Sequence, residues 1–222
     1  MSHDVLAAWD RIESWLKVNA SYSYASLRLP AAPERIAVAQ AHMGASWPEE
    51  MSALWLRHDG AEFFEVDGDE EGEVDAAKFL ARYTFLPLNE VTRVYAARTA
   101  PDTGPAFSGW VPLSGADDDY AGEVVVVDGP DAGRVGRWFS TESAYLHREY
   151  STLGGYLEAV AEALESGTGP LADRNGVVPG VWPWGAWCGR TRRRCPPCKS
   201  SGNPFTGAAD GTMPRRVSQP WK

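Results

Sequence analysis

Two strand-like segments joined by a turn constrain the fold of this chain more than any other feature. Residues 123–128 contain four consecutive valines, and residues 134–139 alternate in polarity. Both patterns are typical of β-strands. The five residues between them, Gly129-Pro130-Asp131-Ala132-Gly133, favour a reversal of the chain. The sequence therefore predicts an antiparallel hairpin in the second half of the chain.

Helices are predicted on both sides of this hairpin. Apolar spacing and end residues predict helices at 4–18, 33–44, 46–57, 76–83, 88–98 and 153–164, the third of them opened by a capping box from Ser46 to Glu49. Short strands are predicted at 63–66 and 110–113, and a loop or short strand at 19–31. This order predicts an α+β fold with a central, mostly antiparallel sheet flanked by helices.

Charge and composition divide the chain into two parts. Residues 1–165 carry 12 Lys and Arg against 28 Asp and Glu, a balance of −16, whereas residues 166–222 carry 9 against 2, a balance of +7. The second part is rich in Gly, Pro and Trp without apolar periodicity, and it holds all three cysteines. We expect one domain over 1–168 and a basic tail over 169–222 that is either disordered or an out-of-frame translation of a GC-rich gene.

The acidic domain excludes several partner classes. Nucleic-acid binding needs Lys and Arg to displace counterions from phosphates, so no nucleic-acid partner is expected. No apolar run approaches the roughly 18 residues of a membrane span, so no membrane partner is expected either. The first residues lack the pattern of a signal peptide, which predicts a cytoplasmic protein.

Catalytic and metal-binding motifs are weak throughout, and we predict no enzyme activity, cofactor or metal. There is no nucleophile elbow or phosphate loop, and the four histidines lack metal-ligand spacing. The acidic segment 67–75 resembles a calcium loop at its first nine positions, but Lys78 stands where the bidentate acid belongs. Cys195-Pro196-Pro197-Cys198 lacks both the helix start of a redox pair and the four ligands of a zinc site.

An ordered series of marks over residues 8–165 resembles a known superfamily. The opening helix contains Ile12-Glu13-Ser14-Trp15-Leu16, a Trp47-Pro48 step follows Met43-Gly44, and the next helix ends in His58-Asp59-Gly60. Trp110-Val111-Pro112, the valine hairpin and the closing helix follow in order. Together they resemble the SUKH superfamily of Smi/Knr-type cell-wall regulators and bacterial immunity proteins. The resemblance assigns structural roles in the motif to Trp15, Gly44, Pro48, Asp59, Gly60, Trp110, Pro112 and Asp128.

The resemblance implies a protein-binding module, and two functions stay open. One is an immunity protein that binds and blocks a toxin with a basic domain; the other is a regulatory scaffold without a toxin. A hydrolase that the motifs do not reveal is a more remote alternative. The residues predicted to contact a partner are those of the two acidic clusters, Asp67, Asp69, Glu70, Glu71, Glu73, Asp117, Asp118 and Asp119.

Overall fold

The computed structural model describes residues 4–62, 65–67, 73–100, 109–116, 120–139 and 144–172. Within these ranges the helices are α1 Val5–Asn19, α2 Ser21–Ser26, α3 Pro33–Met43, α4 Glu49–Arg57, α5 Leu88–Arg98 and α6 Leu153–Ser166. The strands in the same ranges are β1 Glu65–Asp67, β2 Glu73–Asp75, β3 Thr84–Phe85, β4 Trp110–Gly115, β5 Ala121–Val126, β6 Val135–Phe139 and β7 Tyr145–Leu146. Most of the predicted tail, residues 173–222, lies outside the described residues.

The predicted hairpin lies at the centre of an antiparallel sheet. In the described part of the chain, five strands follow the order β3-β4-β5-β6-β7, while β1 and β2 form a separate two-stranded hairpin. Between β5 and β6, Glu123 is opposite Arg137 and Val125 is opposite Val135. All six residues of β5 are buried, as expected for a strand that is covered on both faces. The structure confirms the α+β prediction.

Helices cover both faces of this sheet. The register from β3 to β6 places Phe85 and Arg137 on one face, where Trp9 of α1 packs against Phe85 with ring centroids 5.2 Å apart. Trp138 lies on the opposite face because successive strand residues alternate. There the guanidinium of Arg98, the last residue of α5, lies 4.5 Å from the Trp138 ring. The sheet is therefore enclosed by α1 with α6 on one side and by α5 with α3 on the other.

The apolar stripes that predict the helices form the core. Val5, Trp9, Ile12 and Leu16 of α1 are buried, as are Met51, Leu54 and Trp55 of α4 and Leu153, Tyr156, Leu157, Val160 and Leu164 of α6. Burying one large apolar side chain contributes roughly 1.5–3 kcal/mol. This packing, more than helix propensity, stabilises the arrangement.

The helix predicted at 76–83 is wrong. This segment forms turns in which Leu80 and Tyr83 exchange backbone hydrogen bonds, followed by β3. Ala81 and Arg82 both have positive φ angles, which a right-handed helix does not allow. The buried side chain of Asp75 also accepts a hydrogen bond from the Ala77 N–H at 2.9 Å, which stabilises a turn instead of a helix start.

Two further local predictions are corrected. Residues 19–31 were expected to be a loop or short strand, but they contain α2, followed by an isolated pairing of Leu27 with Ala61. The capping box at Ser46 is also wrong, because Pro48 is the N-cap of α4 and no side chain caps it. Trp47 is instead buried against Trp55, with ring centroids 5.0 Å apart, and this contact sets the entry into the helix.

The predicted strands differ from the observed ones mainly at their ends. The strand predicted at 63–66 corresponds to β1, which begins at Glu65, and residues 63 and 64 lie outside the described residues. The strand predicted at 110–113 is confirmed and continues to Gly115. These small shifts leave the order of the elements unchanged.

Candidate functional site

The first predicted acidic cluster belongs to the β1–β2 hairpin. Asp67 ends β1, Glu73 begins β2, and the register sets these two positions opposite each other. Residues at facing positions of an antiparallel pair are direct neighbours, so the hairpin brings together two acidic positions of the predicted contact. Asp69, Glu70 and Glu71 connect the two strands and lie outside the described residues.

The second predicted cluster, Asp117-Asp118-Asp119, also lies outside the described residues. In the chain it connects β4, which ends at Gly115, with β5, which begins at Ala121. Contact of either cluster with a partner stays a prediction.

Ion pairs tie α1 to its neighbouring helices. Arg11 of α1 pairs with Glu158 of α6, and its Nη2 lies 2.5 Å from the Glu165 carboxylate. The hydrogen bond between Arg11 and Glu165 raises the pKa of the arginine and lowers the pKa of the glutamate. In a similar way, Nε of Arg57 in α4 lies 3.0 Å from the Glu13 carboxylate, and this hydrogen bond raises the pKa of Arg57.

Most cations of the domain take part in such internal pairs. Of the twelve lysines and arginines in residues 1–165, seven form ion pairs with carboxylates of the described residues. They are Arg11, Arg35, Arg57, Lys78, Arg93, Arg134 and Arg137. The cations are thus largely neutralised within the domain, and the excess of carboxylates sets the sign of its external field.

Asp59 of the family motif connects three helices. It is 3% exposed and directly follows His58, the C-cap of α4. Its Oδ1 accepts a hydrogen bond from the N–H of Leu88, the first residue of α5, at 3.0 Å. Its other oxygen pairs with Arg35 of α3. A buried carboxylate at a helix start satisfies an N–H donor and interacts favourably with the helix dipole.

Gly60 allows the backbone to pass close to the start of α5. Its φ angle is +76°, and a Cβ atom built there would lie 2.3 Å from the backbone nitrogen of Pro87. An L-side chain would meet both left-handed strain and a backbone clash. Asp59 and Gly60 therefore have distinct structural roles: Asp59 caps α5, and Gly60 lets the backbone pass close to the start of α5.

Three other motif residues lie on helices or at their ends. Trp15 of α1 is partly buried against the core. Gly44 ends α3 in the left-handed conformation with φ of 64°. Pro48 precedes α4 as its N-cap.

The remaining motif residues shape the sheet. Trp110 begins β4 and its ring covers Gly136, where an added Cβ would lie 2.9 Å from the indole. Pro112 is buried beside an irregularity in the pairing of β4 with β5. Asp128 accepts a hydrogen bond from the Gly129 N–H at 2.7 Å in the turn of the central hairpin.

The sheet also contains a buried ionic cluster that sequence analysis missed. Glu123 of β5 is 0% exposed, and one of its oxygens accepts hydrogen bonds from Nε (3.1 Å) and Nη2 of Arg137 in β6. Its other oxygen lies 2.5 Å from Nε2 of His147, which follows β7. Burial alone would lower the pKa of Arg137, but the charge and hydrogen bonds of Glu123 outweigh burial and raise it.

Tyrosine rings enclose this cluster. The guanidinium of Arg137 lies 5.4 Å from the Tyr83 ring, and the His147 ring lies 4.5 Å from that of Tyr150. Tyr156 of α6 packs on Tyr150, and its buried hydroxyl has no hydrogen-bond partner among the described residues. Burial, followed by the negative charge of Glu123, raises the pKa of Tyr156 well above 10.0. A glutamate next to a histidine is a common acid–base pair, and here both side chains are buried, with Glu123 0% and His147 5% exposed.

Alternation along the strands carried a signal for the cluster. Glu123 and Val125 share one face of β5, so an acid on this valine-rich strand required a buried cation. The returning strand predicted at 134–139 supplies Arg137, which the observed register sets opposite Glu123. His147 gave no such signal because β7 has only two residues.

The described residues contain neither a metal-binding cluster nor a membrane-spanning helix. Among them, no three His, Cys, Asp or Glu side chains are grouped closely enough to hold a metal ion. The helices in the same part of the chain are too short or too polar to span a bilayer. His58 lies at the end of α4 and places Nδ1 2.8 Å from the Arg28 carbonyl oxygen.

Comparison with known proteins identifies the family. No curated protein matches the chain. The family model of the SMI1 / KNR4 family (SUKH-1) matches residues 30–159, more than half of the sequence. The match includes Asp59, Gly60, the central hairpin and the first half of α6, and the chain belongs to the SMI1 / KNR4 (SUKH-1) family.

Proposed function

We propose that this chain is a non-catalytic protein-binding module that binds and blocks a toxin with a basic domain. Membership of the SUKH family supports a role in protein–protein interaction. The finer step, from an interaction domain to an immunity protein, is our inference from the charge of the domain.

One electrostatic observation carries the proposal. Seven cations of the domain are paired internally, while residues 1–165 have an excess of 16 carboxylates. A field of one sign accelerates encounter with an oppositely charged partner and discriminates against others. A basic protein therefore fits this surface, and the acidic residues at 67–73 and 117–119 are the proposed contact. Inhibition would be steric, through coverage of the partner's active-site surface.

The test is isolation of the full-length tagged chain from its native cells, followed by a growth assay. We expect one basic protein in stoichiometric amount. Expression of that protein alone should arrest growth, and co-expression with this chain should restore it. A partner that is harmless when expressed alone would contradict the immunity function and favour a regulatory scaffold.

The location of the contact needs its own comparison. Replacement of Glu70, Glu71 and Glu73 by Gln should weaken binding to the isolated partner. The matched control replaces Glu34, Glu49 and Glu50 by Gln, which removes the same charge from α3 and α4. Equal affinity of the two triple variants would show that the contact lies elsewhere, without affecting the growth result.

A further inference from the structure

Three aromatic rings form a row across the end of the sheet. The rings of Tyr120 and Phe139 have centroids 6.0 Å apart, and those of Phe139 and Tyr145 are stacked at 6.1 Å. Tyr120 is 52% exposed and Tyr145 is 47% exposed, with Phe139 half-buried between them. We call Tyr120, Phe139 and Tyr145 the aromatic row. Contiguous exposed apolar side chains of this kind are candidate interaction sites.

The buried ionic cluster contacts one end of the aromatic row. Tyr145 is opposite Arg137 in the pairing of β6 with β7, and its ring meets the His147 ring edge-on at 5.7 Å. His147 is in turn hydrogen-bonded to Glu123. The row is therefore backed by packed and charged groups at its Tyr145 end. A fixed surface loses little side-chain entropy when it binds.

The charge of the domain also favours a cationic ligand. Residues 1–165 carry 28 Asp and Glu against 12 Lys and Arg. Cationic side chains are therefore attracted both by the net charge of the domain and by the exposed π faces of the row.

We propose that the aromatic row binds arginine and lysine side chains of a basic segment of the partner protein. This inference rests on the proposed function and adds a second contact, distinct from the β1–β2 hairpin. Tyr and Phe rings supply contact area and cation–π attraction, and tyrosine is enriched among the residues that dominate binding energy. The charge of the chain favours this occupant over a second copy of itself, because two acidic copies repel each other.

The test measures binding of a fluorescent peptide of alternating arginine and glycine to the full-length chain at low salt. The same peptide with citrulline in place of arginine controls for shape, because citrulline is uncharged. Tyr120→Ala and Tyr145→Ala leave the charge of the protein unchanged, so a loss of affinity cannot arise from a change in charge. Leu29→Ala, at an 86% exposed residue, is the control for removal of a surface side chain.

We expect each tyrosine variant to weaken arginine-peptide binding by about twofold to fivefold, and the double variant by about tenfold. Tyr145→Phe keeps the ring and should bind like the wild type, which separates the role of the ring from any unfolding in Tyr145→Ala. The citrulline peptide should bind weakly to every variant.

Three results would overturn the inference. Equal binding of the wild type and Tyr120→Ala/Tyr145→Ala would place the cation contact elsewhere. Equal binding of the arginine and citrulline peptides would show that the positive charge does not contribute to binding. A dimer in light scattering that Tyr145→Ala converts to a monomer would identify the row as a self-interface. The growth assay is independent of these measurements, so the proposed function is judged separately.

Discussion

His147 Nε2 lies 2.5 Å from Glu123 Oε2, and this contact reaches from the end of β7 across β6 to β5. Neighbouring strands are about 4.8 Å apart, so a side chain that links alternate strands ties the sheet edge to its centre. Arg137 of the intervening strand occupies the other oxygen of the same carboxylate. A two-residue edge strand has few backbone hydrogen bonds, and this side-chain contact compensates for its length.

Replacement of Glu123 by Gln is expected to destabilise the fold by about 3 kcal/mol or more, because it leaves the buried Arg137 guanidinium without its counter-charge. Urea denaturation followed by tryptophan fluorescence measures this change in the free energy of unfolding.

The double variant Glu123→Leu/Arg137→Met is the control. It removes both charges, so its loss of unfolding free energy should be smaller than the sum of the losses in the single variants Glu123→Leu and Arg137→Met. The double-mutant cycle of these three variants gives the coupling energy. Strict additivity of the two losses would contradict a direct interaction between these side chains.

The parts of the fold that were predicted correctly have strong periodic patterns. The α1 and α6 stripes and the valines of β5 repeat along one segment, so local spacing alone identifies them. α2 has no such stripe, and distant contacts hold its end: the Ser26 carbonyl oxygen accepts a hydrogen bond from the Glu62 N–H at 2.8 Å. Sequence patterns miss an element that depends on tertiary contacts of this kind.

The candidate sites depend on pairings that are distant in sequence. His147 and Glu123 are 24 residues apart, and Asp59 reaches the start of α5 29 residues later. The family resemblance predicted a structural role for Asp59 and Gly60. The Leu88 partner of Asp59 could not be predicted, because it is a backbone N–H, which every residue except proline supplies.

Gly60→Ala is expected to destabilise the domain by more than about 2 kcal/mol, since the new methyl group adds a clash with Pro87 to left-handed strain. Gly44→Ala is the matched control: its φ angle is +64°, but nothing lies within 4 Å of the added Cβ. It should cost about 1 kcal/mol in unfolding free energy. Equal losses in the two variants would exclude the close approach to Pro87 as the cause.

Tyr156→Phe is expected to raise the free energy of unfolding by about 1 kcal/mol, because it removes a buried hydroxyl whose partner is absent among the described residues. The same variant tests the alkaline behaviour of the fold. The pKa of Tyr156 is raised above 10.0 in the folded state, so stability is present below that value and falls as pH rises through the folded pKa. Denaturation at rising alkaline pH should show a smaller fall for Tyr156→Phe, and an identical fall would contradict this assignment.

Glu165→Gln is expected to lower the free energy of unfolding at neutral pH by less than about 1 kcal/mol, because Arg11 and Glu165 are both more than a third exposed. The hydrogen bond from Arg11 lowers the pKa of Glu165 from the ordinary 4.5. Its contribution is therefore present above 4.5 and disappears as pH falls through the folded pKa. Thermal denaturation should separate wild type from variant at neutral pH and low salt, and the difference should shrink in acid and at high salt.

Glu162→Gln, on the same helix but in contact with Thr168 instead of a cation, is the control. A difference for Glu165→Gln that persists in acid would show that packing, not the ion pair, couples α1 to α6 at this position.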